Sequence, residues 1–363
     1  MDTATACQLC RRSLAPVELD RTPARRADGS DAELLAAALA GDGVAFGRLV
    51  GPVRDELRAH CYRILGSLHE AEDAVQETLD RAWRALDRLD DHSGIRPWLY
   101  RIATNRALTL AARRRRRELP AALRPDAAPA TEVAWLQPYP DRLMAWADHL
   151  DPAARVIARE SVELAFVAAL QHLSARQRAV LLLRDVLDFP AREVADLLDT
   201  TVVAVNSALR RARAVLAGRL PDRTQQRTLG TLGDPARREL ARRYAAAWEG
   251  GDVETLVAML TEEARYSMPP QRAWYQGRDA IRGFLVEAVL SHRWRFLPAR
   301  ANGQLAFGTY RWDDDRASYL PAGLDLLALD GARVTEVVSF LDAPFPAFGL
   351  PDRLAGDEFA ARR

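Results

Sequence analysis

The sequence predicts a multidomain chain: two all-α domains, the second built around a helix-turn-helix, followed by an α+β domain. Three observations carry this. Helical apolar periodicity runs from Asp31 to about Arg116 and again from about Ser161 to Leu220. Pro120, Pro125, Pro129, Pro138, Pro140 and Pro152 separate the two stretches and forbid a long helix there. After Ala236, helical patterns give way to the strand-like runs LAFGTYRW, LDLLALDG and VTEVVSFL, an order expected of an α+β domain.

Composition narrows the function classes. With 363 residues, 48% hydrophobic and 28% charged, the chain can bury several cores. No run approaches the eighteen or so apolar residues of a membrane span, and the N-terminus lacks the apolar core of a secretory signal, so a cytoplasmic protein is expected. The net charge of +1 averages over unlike segments: arginines gather at 96–117 and 210–219, acids at 70–77. Every basic residue among the 51 is arginine, whose planar fork bonds phosphates and base edges bidentately. The three cysteines, Cys7, Cys10 and Cys61, form no disulfide framework. Cys7 and Cys10 have half the spacing of a zinc site without a second pair, so no metal is expected.

Residues 1–29 read as a flexible leader, with Pro16, Pro23 and Gly29 and no sustained periodicity. The first helical domain, 30–118, is interrupted only at Gly41–Gly43, Gly66–Ser67 and Asp90–Gly94. Ala71, Val75, Leu79, Trp83 and Leu86 fall on one face as its core stripe. On the outside, Glu70, Asp73 and Glu77 with neighbouring Gln76 make an acidic stripe, either solvated or a dock for a basic partner. In RPWLYRIATNRALTLAARRRRR, Trp98 and Tyr100 are interleaved with Arg101, Asn105 and Arg106, ahead of arginines 113–117 beginning at Arg113. Aromatics mixed with cations suit single-stranded nucleic acid, whose bases stack while its phosphates pair; core packing is the alternative for Trp98.

Residues 119–160 read as a proline-rich linker, yet Trp135, Leu136, Tyr139, Leu143 and Trp146 predict that it docks on something. Within 161–220, FPAREVADLLDTTVVAVNSALRRARAVL carries the sharpest local signal. Val194, Ala195, Leu197 and Leu198 supply a first helix face, Asp199 and Thr200 a turn, and Thr201 the cap of a second helix. Val202, Val205 and Leu209 are expected inside. Thr201, Val203, Asn206, Ser207, Arg210, Arg211 and Arg213 are expected to face duplex DNA, with no acid from Thr201 to Arg219. A short linker, 221–235, leads to the α+β domain at 236–350 and a tail at 351–363.

Together these motifs resemble the sigma-70 family, specifically its extracytoplasmic-function (ECF) group with a fused C-terminal SnoaL-like domain. The EDAVQET string resembles region 2.2, which implies that Glu70, Asp73, Gln76 and Glu77 contact the β′ clamp of core RNA polymerase. RPWLYRIATNRAL resembles regions 2.3 and 2.4, implying that Trp98, Arg101, Asn105, Arg106 and Arg113 hold the melted −10 element. The helix-turn-helix resembles region 4.2, implying recognition of the −35 element and contact with the β flap. The WLQPYPDRLM stretch is also similar to that subgroup. Departures are Thr109, Pro190 and Asp199, where the family often has Asp, Ser and Gly. The linker would run through polymerase toward its active cleft, and no bond is made or broken by this polypeptide.

The C-terminal domain resembles the SnoaL/NTF2-like cone, a fold that also hosts isomerases pairing a carboxylate with an oxyanion hole. Tyr266, Tyr275, Asp279, Tyr310 and Asp325 carry suitable groups, whereas Trp274, Trp294, Phe307 and Trp312 are expected to fill the cone. Three readings follow: a sigma factor whose cone regulates it through contact with the sigma domains, a bifunctional factor with an isomerase-like, cyclase-like or ligand-sensing cone, and a DNA-binding regulator outside the sigma class. The acidic string argues against the third. No catalytic residue and no cofactor is assigned, a small-molecule ligand of the cone is allowed, and the apolar strip 342–354 is a candidate contact surface.

Overall fold

The computed structural model describes residues 29–89, 94–113, 117–119, 134–289 and 291–355. The leader with Cys7 and Cys10, most of the Asp90–Gly94 loop, arginines 114–116, Pro120, Pro125, Pro129 and the end of the tail lie outside the described residues. The chain divides into two compact units: residues up to 116 with 143–222, and 117–142 with 223 onward. The expected linker is therefore shared between the units. No described helix is long and apolar enough to cross a membrane.

The first unit begins with α1 (Gly29–Leu39), α2 (Gly43–Leu65), α3 (Leu68–Arg84) and α4 (Ile95–Ala112). The interruptions are caps. Asp42 accepts from the Val44 and Ala45 amides at 2.8 and 3.1 Å, opening α2. Gly66, at φ 69°, closes it with a left-handed turn, and Ser67 caps α3 through the Glu70 amide. Leu57, Cys61, Ile64, Ala71, Val75, Leu99 and Ala103 make the core. Trp83 of the predicted stripe is half-buried, 5.1 Å from the Phe46 ring.

Helix resumes earlier than the sequence suggested. Pro152 opens α5 (Pro152–Glu160), because the first helical turn needs no proline N–H, and Asp151 caps it. Then follow α6 (Leu164–Leu170), α7 (Ala175–Leu181), α8 (Ala191–Leu197) and α9 (Val202–Ala217). These helices pack directly on the first four. Arg178 of α7 donates to the Ile64 carbonyl at the end of α2 and to Leu170 O, Leu173 O and Gln171 Oε1. Tyr100 meets Phe189 edge-on at 5.5 Å.

The second unit holds β1 (Arg117–Glu118) paired in parallel with β2 (Ala134–Trp135), and then the cone. The expected linker at 221–235 is helical from Gln225: α10 (Gln225–Gly250) starts on the Thr224 cap and breaks only at Gly233, two residues before Pro235. Gln225 bonds Leu329 in both directions, at 3.1 and 2.8 Å, which ties this turn to the sheet. After α11 (Val253–Ala258) come β3 (Leu260–Ser267), β4 (Trp274–Gln276), α12 (Arg278–Phe284), β5 (Trp294–Ala301), β6 (Gln304–Asp313), β7 (Ser318–Asp330), β8 (Arg333–Phe340) and β9 (Leu354–Ala355). The sheet order is β4-β3-β8-β7-β6-β5, with β9 on β7; β3 and β8 are parallel and the other neighbours antiparallel. The core includes Tyr244 and Trp248 of α10, with Trp248 stacked on Phe296 at 5.0 Å.

The tail is part of this fold. Phe345 packs edge-on to Tyr310 at 5.0 Å, the Tyr310 hydroxyl donates to Pro351 O at 2.9 Å, and Leu350 is buried. The strip at 342–354 is thus used within the cone's own unit, which corrects its reading as an open contact surface.

Candidate nucleic-acid interface

The helix-turn-helix is built as its residues dictate. Val194, Ala195, Leu197 and Leu198 are buried, as are Val205, Ala208, Leu209, Ala212 and Leu216 of α9. Asp199 takes φ 48°, a left-handed conformation that Asp tolerates better than most residues, so it serves where the family's glycine would. Arg176 donates to Leu198 O at 2.9 Å in that turn. The Thr201 hydroxyl accepts from the Ala204 amide at 3.2 Å. Pro190, by contrast, offers α8 no side-chain cap.

The outer face of α9 presents Thr201, Val203, Asn206, Arg210 and Arg211 to solvent, with Ser207 half-exposed. Val203 is 76% exposed, unusual for valine and suited to a methyl-bearing groove partner. Two assignments change. Val202, expected inside, is exposed because it precedes the first turn that touches the core. Arg213 is occupied: its guanidinium forms a bidentate pair with Asp185 at 2.9 and 2.7 Å and braces α9 against the segment before α8.

On α4, Trp98, Arg101 and Asn105 follow at spacings of three and four along one face, Trp98 half-buried and the other two exposed. Arg113, just past the helix, is exposed. Arg106 lies off that face and pairs with Glu77, which also bonds Arg81. Tyr100 is fully buried: its hydroxyl donates to Glu56 at 3.3 Å, and its ring meets His60 edge-on. It cannot stack on a base in this arrangement. The acidic stripe divides likewise. Glu70 is 5% exposed and Glu77 is engaged, leaving Asp73, 3.6 Å from His69 on the same helix, and Gln76 exposed to solvent. Beneath them, His60 shares a 2.9 Å hydrogen bond with Thr104, and burial, with Arg63 nearby, lowers its pKa to about 3. Cys61 is buried too, its thiol pushed up to about 12, so it is unreactive.

In the cone, a cavity of about 500 Å³ is lined by Tyr266 and Asp325, two of the groups singled out in the sequence, and by Trp294. Tyr310 instead faces the tail, Asp279 is exposed at the start of α12, and Tyr275 stacks on Phe284 at 4.3 Å. Phe307 is core, and Trp312 packs on Tyr319. Tyr244, which the sequence alone does not single out, reaches Asp325 from α10: its hydroxyl donates to Asp325 Oδ2 at 3.4 Å. Burial raises the Asp325 carboxyl to about 6.

A helix-turn-helix with an exposed, acid-free second helix, another helix mixing tryptophan with cations, and an appended cone fit a transcription factor of the sigma type. Family models agree: sigma-70 region 2 matches residues 49–117, sigma-70 region 4 matches 163–216, and a SnoaL-like domain matches 241–337. The chain belongs to the ECF RNA polymerase sigma factors. It is 48% identical over 314 residues to ECF RNA polymerase sigma factor SigG of Mycobacterium tuberculosis, covering 84% of this chain and 83% of the relative. ECF RNA polymerase sigma factor SigW of Bacillus subtilis is 31% identical over 182 residues, 50% of this chain and 92% of SigW, so nearly a whole sigma factor is matched by half of this chain. The crystal structure of Mycobacterium tuberculosis sigma factor SigJ shares the fold, at TM-score 0.55 and 22% identity, over 82% of this chain and 98% of SigJ.

Proposed function

We propose that this sigma factor reads the upstream promoter element with Thr201, Val203, Asn206, Ser207, Arg210 and Arg211, and the melted element with Trp98, Arg101, Asn105 and Arg113. Asp73 and Gln76 meet the β′ clamp, the helix-turn-helix domain meets the β flap, and the protein works with core polymerase in the cytoplasm. The exposed, acid-free face of α9 supports the first assignment. Arg210→Ala and Arg211→Ala should each weaken upstream binding by about 1–3 kcal/mol, roughly 5- to 150-fold, with the thermal midpoint unchanged. Arg213→Ala should instead lower stability, since it strands Asp185. Transcription titrations and melts of the three variants separate reading from bracing; wild-type promoter use by the first two would contradict the reading face.

The cone regulates this activity by holding the connector between the sigma regions. One observation carries that reading. The Asn302–Gly303 turn between β5 and β6, both residues at positive φ, clasps Tyr139–Asp141. Asn302 Oδ1 accepts from the Tyr139 amide and the Asn302 amide donates to Tyr139 O, both at 2.8 Å, while the Gly303 amide donates to Asp141 Oδ1 at 2.7 Å. A connector held there is not free to run through polymerase. Asn302→Gly combined with Asp141→Ala keeps the turn's positive φ but removes two of these bonds. Holoenzyme formation should rise several-fold in a core-polymerase titration, with promoter choice unchanged. An unaltered titration curve would remove the regulatory role of the clasp.

A further inference from the structure

The cone cavity is a built site whose lining holds two buried polar atoms without a partner among the described residues, Asp325 Oδ1 and the Trp248 indole N–H. Its lining includes Trp248, Tyr266, Phe284, Trp294, Phe296 and Asp325. Asp325, on β7, is 1% exposed, and its Oδ1 has no hydrogen-bond partner among the described residues. Its other oxygen receives the long 3.4 Å bond from Tyr244, and Ser339, opposite Asp325 on β8, is a second hydrogen-bond partner of the carboxyl. A buried carboxylate oxygen without a donor costs free energy unless something supplies one. Five aromatic rings, those of Trp248, Tyr266, Phe284, Trp294 and Phe296, share the lining with aliphatic and polar side chains, and an aromatic face attracts a cation and repels an anion. The volume suits an organic molecule rather than an ion or a water.

We propose that the cone binds a hydrophobic amine, its ring system held among Trp248, Phe284, Trp294 and Phe296 and its ammonium group paired with Asp325. The charge balance favours this occupant over a carboxylate. Asp325 is the charged group at the buried end of the lining, while Arg311, Asp313 and His292 line its outer part, and Asp313 is taken up by Arg316. A carboxylate ligand would meet Asp325 head-on. A neutral alcohol would satisfy Oδ1 without gaining the charge–charge attraction, so it ranks between the two.

The test uses the full chain and three probes of matched shape: naphthylethylamine, naphthylethanol and naphthylacetate. Trp248 and Trp294 report binding by fluorescence, and calorimetry checks it. The wild-type protein should bind the amine at least ten-fold more tightly than the alcohol and should not bind the acetate. Asp325→Asn should abolish the preference for the amine while keeping the alcohol, which shows the cavity intact. Ala322→Phe, at the cavity wall, should block all three. Absence of binding by the wild type, equal affinity for the three probes, or a preference for the acetate would overturn the proposal. So would an Asp325→Asn protein that still prefers the amine. Because the wild-type ranking needs no variant, a poorly folded Asp325→Asn leaves the test decisive.

Discussion

Cutting the chain after residue 222 should yield an aggregating protein rather than a freely active sigma factor. The connector segment from 117 to 142 belongs to the cone's compact unit, so the cut strands it. Leu136 and Tyr139 are 1% and 0% exposed, and burying a side chain of that size is worth about 1.5–3 kcal/mol. Stripped of the cone, both become apolar surface next to the half-buried strand β2. A cut after 235 is worse, since it severs α10 and leaves Gln225 without Leu329. Replacing 119–141 by a flexible Gly/Ser linker in the truncated chain should restore a monodisperse, promoter-reading protein. Light scattering and transcription assays of the two truncations test this. A plain truncation at 222 that is monomeric and fully active would mean that the connector needs no cover.

The helical unit should also lose stability steeply as pH falls. His60 is 0% exposed, and its pKa is about 3 against an ordinary 6.5. Below pH 6.5 the unfolded chain takes up a proton that the folded one refuses, so unfolding gains free energy as pH falls. The full stability is present above 6.5 and is lost progressively toward pH 3. At 1.36 kcal/mol per unit, the loss reaches about 5 kcal/mol. His60→Asn removes the titrating group. It should be less stable than wild type at pH 7 yet show a shallower decline, read as the denaturant midpoint of the helical unit from pH 7 to 4. Parallel slopes for the two proteins would exclude His60 as the source.

The sequence and the structure agree most closely where one residue type has one physical use. Thr201 is a cap and Val205 and Leu209 are core, and period and chemistry alone place them. Asp199 illustrates a departure that was legible but not interpretable until its φ was known. Arg213 and Arg106 were misplaced for a shared reason. An arginine on a polar helix face looks the same whether it meets phosphate or a carboxylate, and Asp185 and Glu77 are 28 and 29 residues away in sequence. The aromatic-rich linker correctly announced that it docks, but the Asn302–Gly303 turn that receives it lies more than 160 residues on. In the cone, β5 was missed because Pro298 breaks its pattern; it is tolerated there on an edge strand.

The buried guanidinium of Arg178 bears on the proposed reading of two promoter elements. Its four acceptors are three carbonyls and an amide oxygen, none of them a carboxylate, so a full positive charge is taken out of water with only dipoles to compensate it. That burial holds its pKa down at about 10. The −10 and −35 elements implied by the resemblance lie, by their positions, about 25 base pairs apart, roughly 85 Å along B-form DNA at 3.4 Å per pair. A compact body of the first unit's length is only about 40 Å across. The proposed reading of both elements at once requires the two halves to part, and Arg178 is among the groups that such parting would return to water. Its rehydration would offset part of the cost of the hydrogen bonds broken, so parting there costs less than opening an apolar core of the same size.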